Sequence, residues 1–190
     1  MDKDSLYWDL RQENDAWLKR QWWWWRHHLN GTLKSERERE RLRQAAEAED
    51  QVAEYIRQEL GYQAHLTTAN CPFDLYVTAG EDSQACRVEV KLSTYARNGQ
   101  GGRYQCNIRA GQEFDILVFV ARNGQDWHYV IPVEALKQRR NIAIWSLCPG
   151  DYRGQWRSYL NAWHYLDQIL TNSQTRVWQL NLPTKELTND

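Results

Sequence analysis

The chain has 190 residues, of which 42% are hydrophobic and 26% charged, which suits one soluble domain with a buried core plus an appendage. The formal net charge of −1 neither demands nor forbids a nucleic-acid partner, so a DNA-binding surface would need its cations gathered in one place. No apolar run reaches the ~20 residues of a membrane span, and the acidic, aromatic N-terminus is unlike a secretory signal. Cys71, Cys86, Cys106 and Cys148 lack the CxxC pairing of a zinc cluster and read as reduced thiols of a cytoplasmic protein.

In chain order, residues 5–29 predict a helix, capped by Ser5 and stopped at Asn30-Gly31. Four consecutive tryptophans, Trp22 to Trp25, must point all around such a helix. Some of them therefore meet the core, a second subunit or a ligand, for which base stacking is one option. A membrane surface fits worst, because the neighbouring charges are mixed rather than strongly basic. Residues 35–60 predict a second helix, with Ser35 and Glu38 as a capping box and Gly61 as its stop. Leu42, Ala45, Ala46, Val52, Ala53, Ile56 and Leu60 fall on one face. Glu49 sits within that stripe and needs a partner there; Asp50 and Glu54 are the alternatives if the helix phase is shifted.

Strands are predicted at 62–67, 73–79, 85–92, 103–109, 115–121 and 127–131, with one more at 141–147. ILVFVA, 116–121, is apolar throughout, as in a strand covered on both faces. The glycine-rich stretch TYARNGQGG, 94–102, reads as a mobile loop. Residues 133–139 suggest a helical turn, 152–170 a final helix and 171–190 a polar tail. The order helix, strand run, helix implies an α/β fold, a mixed sheet flanked by helices.

The chemistry gathers in CPFDLYVTAGEDSQACRVEVKLS, 71–93. Phe73, Leu75 and Val77 alternate with Asp74 and Tyr76; Val88, Val90 and Leu92 alternate with Arg87, Glu89, Lys91 and Ser93. Two such strands joined by a turn put Asp74, Glu89 and Lys91 on one face of a hairpin. Two carboxylates suit Mg²⁺, which takes oxygen ligands and keeps several waters. A lysine beside them can hold a water or offset charge on a phosphate.

Asp74, then Glu89-Val90-Lys91 after a spacer, resembles the PD-(D/E)XK nuclease motif. The helix AEAEDQVAEYIRQELGYQ is similar to the family's opening helix, with Glu49 at the place of its helical glutamate. DILVFVA and HYVIPVEAL look like later strands of the branch that holds group I intron homing endonucleases and, more distantly, Holliday-junction resolvases. The likeness covers roughly residues 44–140, and the motif's Pro-Asp is interrupted here as Pro72-Phe73-Asp74. It implies a restriction-endonuclease-like mixed sheet over 35–170, with a Trp-rich helical appendage at 1–34 and the tail at 171–190.

The resemblance further implies a Mg²⁺-dependent DNA endonuclease that hydrolyses phosphodiester bonds with a metal-activated water. Asp74, Glu89 and the Val90 carbonyl would be the metal ligands, Lys91 the catalytic lysine and Glu49 a helper. Two-strand cleavage implies a homo-oligomer. Arg97, Arg103 and Gln105 are candidates to hold DNA, with Arg109, Arg139 and Arg140 as further backbone contacts. His27, His28, His65, His128 and His164 show no metal-triad spacing. The alternatives are an ordinary solvated sheet face carrying a cross-strand ion pair, a catalytically silent nucleic-acid module, and a protein-interaction scaffold acting through the tryptophans.

Overall fold

The computed structural model describes residues 36–67, 71–80, 84–98, 101–109 and 112–171. The Trp22–Trp25 run, the helix expected over 5–29, Ser35 and the expected tail beyond Thr171 lie outside the described residues.

Helix α1, Glu36–Gln58, buries Ala48, Val52, Ala53 and Ile56. Val52, Ala53 and Ile56 belong to the stripe expected from the sequence, and Ala48 joins them from outside it. Leu42, Ala45, Ala46 and Leu60 are only partly buried, and the charged first turns are largely exposed. Gly61, at φ 74°, takes the left-handed conformation that ends the helical segment and turns the chain into the sheet.

Five strands, β1 (Gln63–Leu66), β2 (Leu75–Thr78), β3 (Cys86–Thr94), β6 (Ile116–Arg122) and β7 (Asp126–Pro132), form one sheet in the order β1-β2-β3-β6-β7. The β3–β6 pair is parallel and its neighbours are antiparallel, so the sheet is mixed. A second, antiparallel sheet contains β4 (Ala96–Asn98), β5 (Gly101–Asn107) and β8 (Asn141–Ile144). The short helix α2, Val133–Leu136, follows β7, and α3, His164–Thr171, closes the described chain.

The main sheet is covered on both faces. On one, Val88, Val90, Val118, Val120 and Val130 meet Val52, Ala53 and Ile56 of α1 and Leu166 and Leu170 of α3. On the other, Leu117, Phe119, Tyr129 and Ile131 meet Tyr104, Cys106, Ile142 and Ile144 of the second sheet. β6 is therefore buried along nearly its whole length, as its unbroken apolar run requires. The Arg122 guanidinium ties the layers together at one end, donating to Asp126 at 2.7 Å and to Gln51 of α1 at 2.6 Å.

Three expectations need correction. The polar face of β3 is not wholly solvated: Glu89 is buried beneath the second sheet, while Arg87, Lys91 and Ser93 on the same face stay partly exposed. The stretch 94–102 is not simply a loop, since Ala96–Asn98 pairs with Gly101–Arg103 as a hairpin. A Cβ on Gly102 would fall 2.3 Å from the Tyr95 ring, so that glycine allows close packing of an aromatic rather than mobility. The helix expected over 152–170 is helical only from His164. Before it come two 3₁₀ turns, at 149–151 and 157–159, and Asn161 turns in the left-handed region at φ 52°. The reason is packing. Tyr152 and Trp156 belong to the core under the second sheet, whereas Trp163, Leu166 and Leu170 belong to the core under α1. One straight helical stripe cannot serve two cores.

His128 packs edge-on against the stacked pair of Tyr55 and Trp163, with ring centroids at 5.6 and 5.5 Å. Burial holds its pKa below the ordinary 6.5, against an opposing pull from Asp126. The unfolded chain protonates at a higher pH than the folded one, so stability present above pH 6.5 is lost as pH falls toward the folded value. Thermal melts at pH 7 and pH 5 will therefore show a smaller acid-induced drop in His128→Phe than in the natural chain. An equal drop in both would contradict this.

Candidate active site

The site forms where β2 stops pairing before β3 does. The antiparallel register ends at Leu75 opposite Val88, and the Asp74 amide donates to the Val88 carbonyl at 3.0 Å. Upstream, Phe73 turns into the core beneath the second sheet. β3 runs on to Thr94, paired only with β6 on its other edge within the main sheet. Its edge is thus open from Glu89 onward.

The Asp74 carboxylate closes part of that opening. Its Oδ2 accepts from the Val90 amide at 2.8 Å. In a pleated strand a residue's N–H and C=O point to the same edge, so the Val90 carbonyl also faces the open side.

Glu89 lies opposite Leu117 of β6 and Lys91 opposite Phe119, which puts both beneath the second sheet. Glu89 is only 2% exposed. Its Oε1 accepts from Lys91 Nζ and from Gln112 Nε2, the latter at 2.5 Å. Gln112 is held in turn, its Oε1 accepting from the Arg109 amide at 2.9 Å. Burial raises the Glu89 pKa above the ordinary 4.5, and the neighbouring Asp74 carboxylate raises it further; Lys91 and Gln112 offset only part of this. Lys91 keeps a 26% exposed side chain, so the cluster stays in touch with solvent on its side.

The surroundings fix this strand. Arg87 grips Asp115 with two side-chain hydrogen bonds, at 2.9 and 3.1 Å, and its amide adds a third at 2.8 Å. That fork pins the start of β3 to the start of β6. On β5, the Cys106 thiol faces Lys91 and Glu89, and burial pushes it up to about 12, so it is no nucleophile near neutral pH.

The structure therefore brings Asp74, Glu89, Val90 and Lys91 together. Glu49 lies partly buried on α1, which packs against the opposite face of the sheet. Among the described residues no three Asp, Glu, His or Cys side chains converge as a metal cluster. Arg97 is exposed on β4. Arg103 and Gln105 alternate with the buried Tyr104 and Cys106, so they face away from the cluster, with Arg103 over the Trp145 ring at 4.6 Å. Gln112 was missed in the sequence. It sits in a loop before β6, and no spacing or motif marks it.

The donor set fits a divalent cation. Two carboxylates stand close enough for one to raise the other's pKa, and a backbone carbonyl faces the same edge. Added positive charge would relieve that repulsion, and Mg²⁺ is commonly held by one or two carboxylates and waters. Cys71, Cys86, Cys106 and Cys148 are all unbridged, and no helix among the described residues is long and apolar enough to cross a membrane.

No protein-family profile and no curated protein matches the chain. Among solved structures, the fold is similar to that of a homing endonuclease. A bacterial homing endonuclease, I-Ssp6803I, superposes with a TM-score of 0.54 at 18% sequence identity, over 68% of this chain and 95% of its own. At that identity the likeness establishes a shared fold: a mixed sheet flanked by helices.

Burying Glu89 without its cation should be costly. Lys91→Ala is expected to lower stability by on the order of 2 kcal/mol, below the range for a fully dry pair because Lys91 reaches water. Glu89→Gln should melt higher than the natural chain at pH 8. Since the folded pKa is raised, the charge penalty is absent below the ordinary value of 4.5 and grows as pH rises through the folded one. The advantage of Glu89→Gln should thus shrink at acid pH, and an advantage independent of pH would contradict the assignment.

Proposed function

We propose that this chain is a divalent-metal-dependent DNA endonuclease of PD-(D/E)XK type, hydrolysing phosphodiester bonds. The observation that carries the reading is the cluster of Asp74, Glu89 and Lys91 at the open edge of β3, in a fold shared with a homing endonuclease. Asp74 Oδ1, Glu89 Oε2 and the Val90 carbonyl would hold Mg²⁺. When bound, the ion would supply Lewis acidity toward a phosphoryl oxygen and lower the pKa of a water.

The chain's own groups do the rest. The Val90 amide fixes Asp74 Oδ2, leaving Oδ1 for a ligand. Gln112 and Lys91 hold Glu89 by Oε1, leaving Oε2. The Lys91 ammonium, partly exposed, places a positive charge where a phosphate approaches this edge and stabilises the negative charge that grows there during hydrolysis. The hydrophobic layers on either side keep the local dielectric low, which strengthens that interaction. Cleavage of both strands calls for two sites, so a homo-oligomer belongs to the proposal. So does a reducing, cytoplasmic setting for the four thiols.

The test is incubation of the purified chain with supercoiled, linear and four-way-junction DNA, with Mg²⁺ or with EDTA. Cutting should require the metal and fall about 100-fold or more in Lys91→Ala. Binding without cutting of any substrate would replace this reading with a silent nucleic-acid module.

A further inference from the structure

The second sheet has an inner face, buried against the main sheet, and an outer face that none of the chemistry above uses. On β5 the outer residues are Arg103, Gln105 and Asn107, alternating with buried Gly102, Tyr104 and Cys106. On β8 the register places Asn141 opposite Asn107 and Ala143 opposite Gln105. One step further along, Arg103 stacks on Trp145 at 4.6 Å, and that indole is 56% exposed. Asn141 Nδ2 donates to Asn107 Oδ1 at 3.0 Å, which leaves an amide donor on Asn107 and an amide acceptor on Asn141 for a ligand. The face thus presents a guanidinium fork and three carboxamides in register.

Its charge is one-sided. Residues 94–112 contain Arg97, Arg103 and Arg109 and no Asp or Glu; residues 135–150 contain Lys137, Arg139 and Arg140 and no Asp or Glu. In a chain with a net charge of −1, six cations without a carboxylate on the segments that build one sheet are a local excess suited to a polyanion. The same strand also touches the candidate active strand, since the Gln105 amide donates to Ser93 Oγ at 2.9 Å, two residues beyond Lys91.

We propose that the outer face of the β4–β5–β8 sheet reads base edges in the major groove of duplex DNA, with Arg103, Gln105 and Asn107 as the reading side chains. This rests on the nuclease reading and adds what decides where such an enzyme binds. The major groove admits a two-stranded β-ribbon, and arginine, glutamine and asparagine are the side chains that pair bidentately with guanine or adenine edges there. Trp145 holds the Arg103 fork flat and Asn141 fixes the Asn107 amide, so little side-chain freedom remains to be lost on binding. The exposed Arg109, just beyond the end of β5, and Arg140, just before β8, supply contacts to phosphate, which position the duplex without reading it.

The experiment is selection of the full-length chain, in EDTA, against a pool of duplexes with a randomised centre, followed by binding measurements on the enriched sequence. The natural chain should enrich one sequence. Arg103→Ala, Gln105→Ala and Asn107→Ala should each lose roughly tenfold discrimination at a particular base pair, while affinity for unselected duplex falls less. Arg103→Lys should not restore the loss, because lysine lacks the fork. Gln105→Glu, which keeps the shape of the side chain, should move the preference at its position toward cytosine. Variants that select the natural chain's sequence would overturn the proposal while leaving metal-dependent cleavage, and so the nuclease reading, intact. Light scattering that shows Trp145→Ala dissociating an oligomer would also overturn it, by giving this face to a second copy. Absence of binding to any duplex, together with absence of cutting, would remove both readings.

Discussion

Keeping the Glu89 carboxylate between two hydrophobic layers requires a cation, a hydrogen-bond donor and a strand that cannot slide, and much of the surrounding structure supplies these. Lys91 and Gln112 converge on one carboxylate oxygen. The Arg87–Asp115 fork locks the β3–β6 register. A slip of one residue would turn Glu89 into the core beneath α1, among Val52, Ile56 and Val118, where a carboxylate has no partner. The early end of β2 then leaves a gap in the sheet just where the charged groups stand. Burial and access are reconciled because the carboxylate is enclosed while the ammonium beside it is not.

Such a site is bought at the expense of stability. Asp74 and Glu89 repel, and the packed layers that hold Glu89 rigid also deprive it of water. The compensation lies in the rest of the sheet, where β6 contributes an almost wholly apolar strand to both cores and the Arg122 ties anchor α1 across the layers.

The parts of this arrangement that depend on local pattern were legible in the sequence. The 3.6-residue stripe of α1, the alternation on β2 and β3 and the unbroken apolar run of β6 each correspond to an observed element. The proximity of Asp74, Glu89 and Lys91 followed from period-2 spacing on a hairpin. What could not be read depends on long-range contacts. Glu89 is buried because residues 101–107 and 141–144 fold back over it, and nothing near position 89 encodes that cover. Gln112 joins the site from a loop with no regular spacing. Arg103 and Gln105 were expected to hold DNA, yet which way they faced depended on the second sheet. The aromatic spacing of 152–170 imitated a helix because Tyr152, Trp156, Trp163 and Leu166 are all core residues, though of two different cores.

That last segment has a consequence for how the molecule opens. Its first half is seated beneath the second sheet and its last helix beneath the face that α1 covers. Between them, the Asn161 amide donates to the His128 carbonyl on β7 at 2.7 Å. Residues 152–171 therefore act as a lace through both layers around the outer edge of the main sheet. Neither layer can loosen far without pulling on the other, so the amides of both are bound to a single cooperative opening instead of two separate ones.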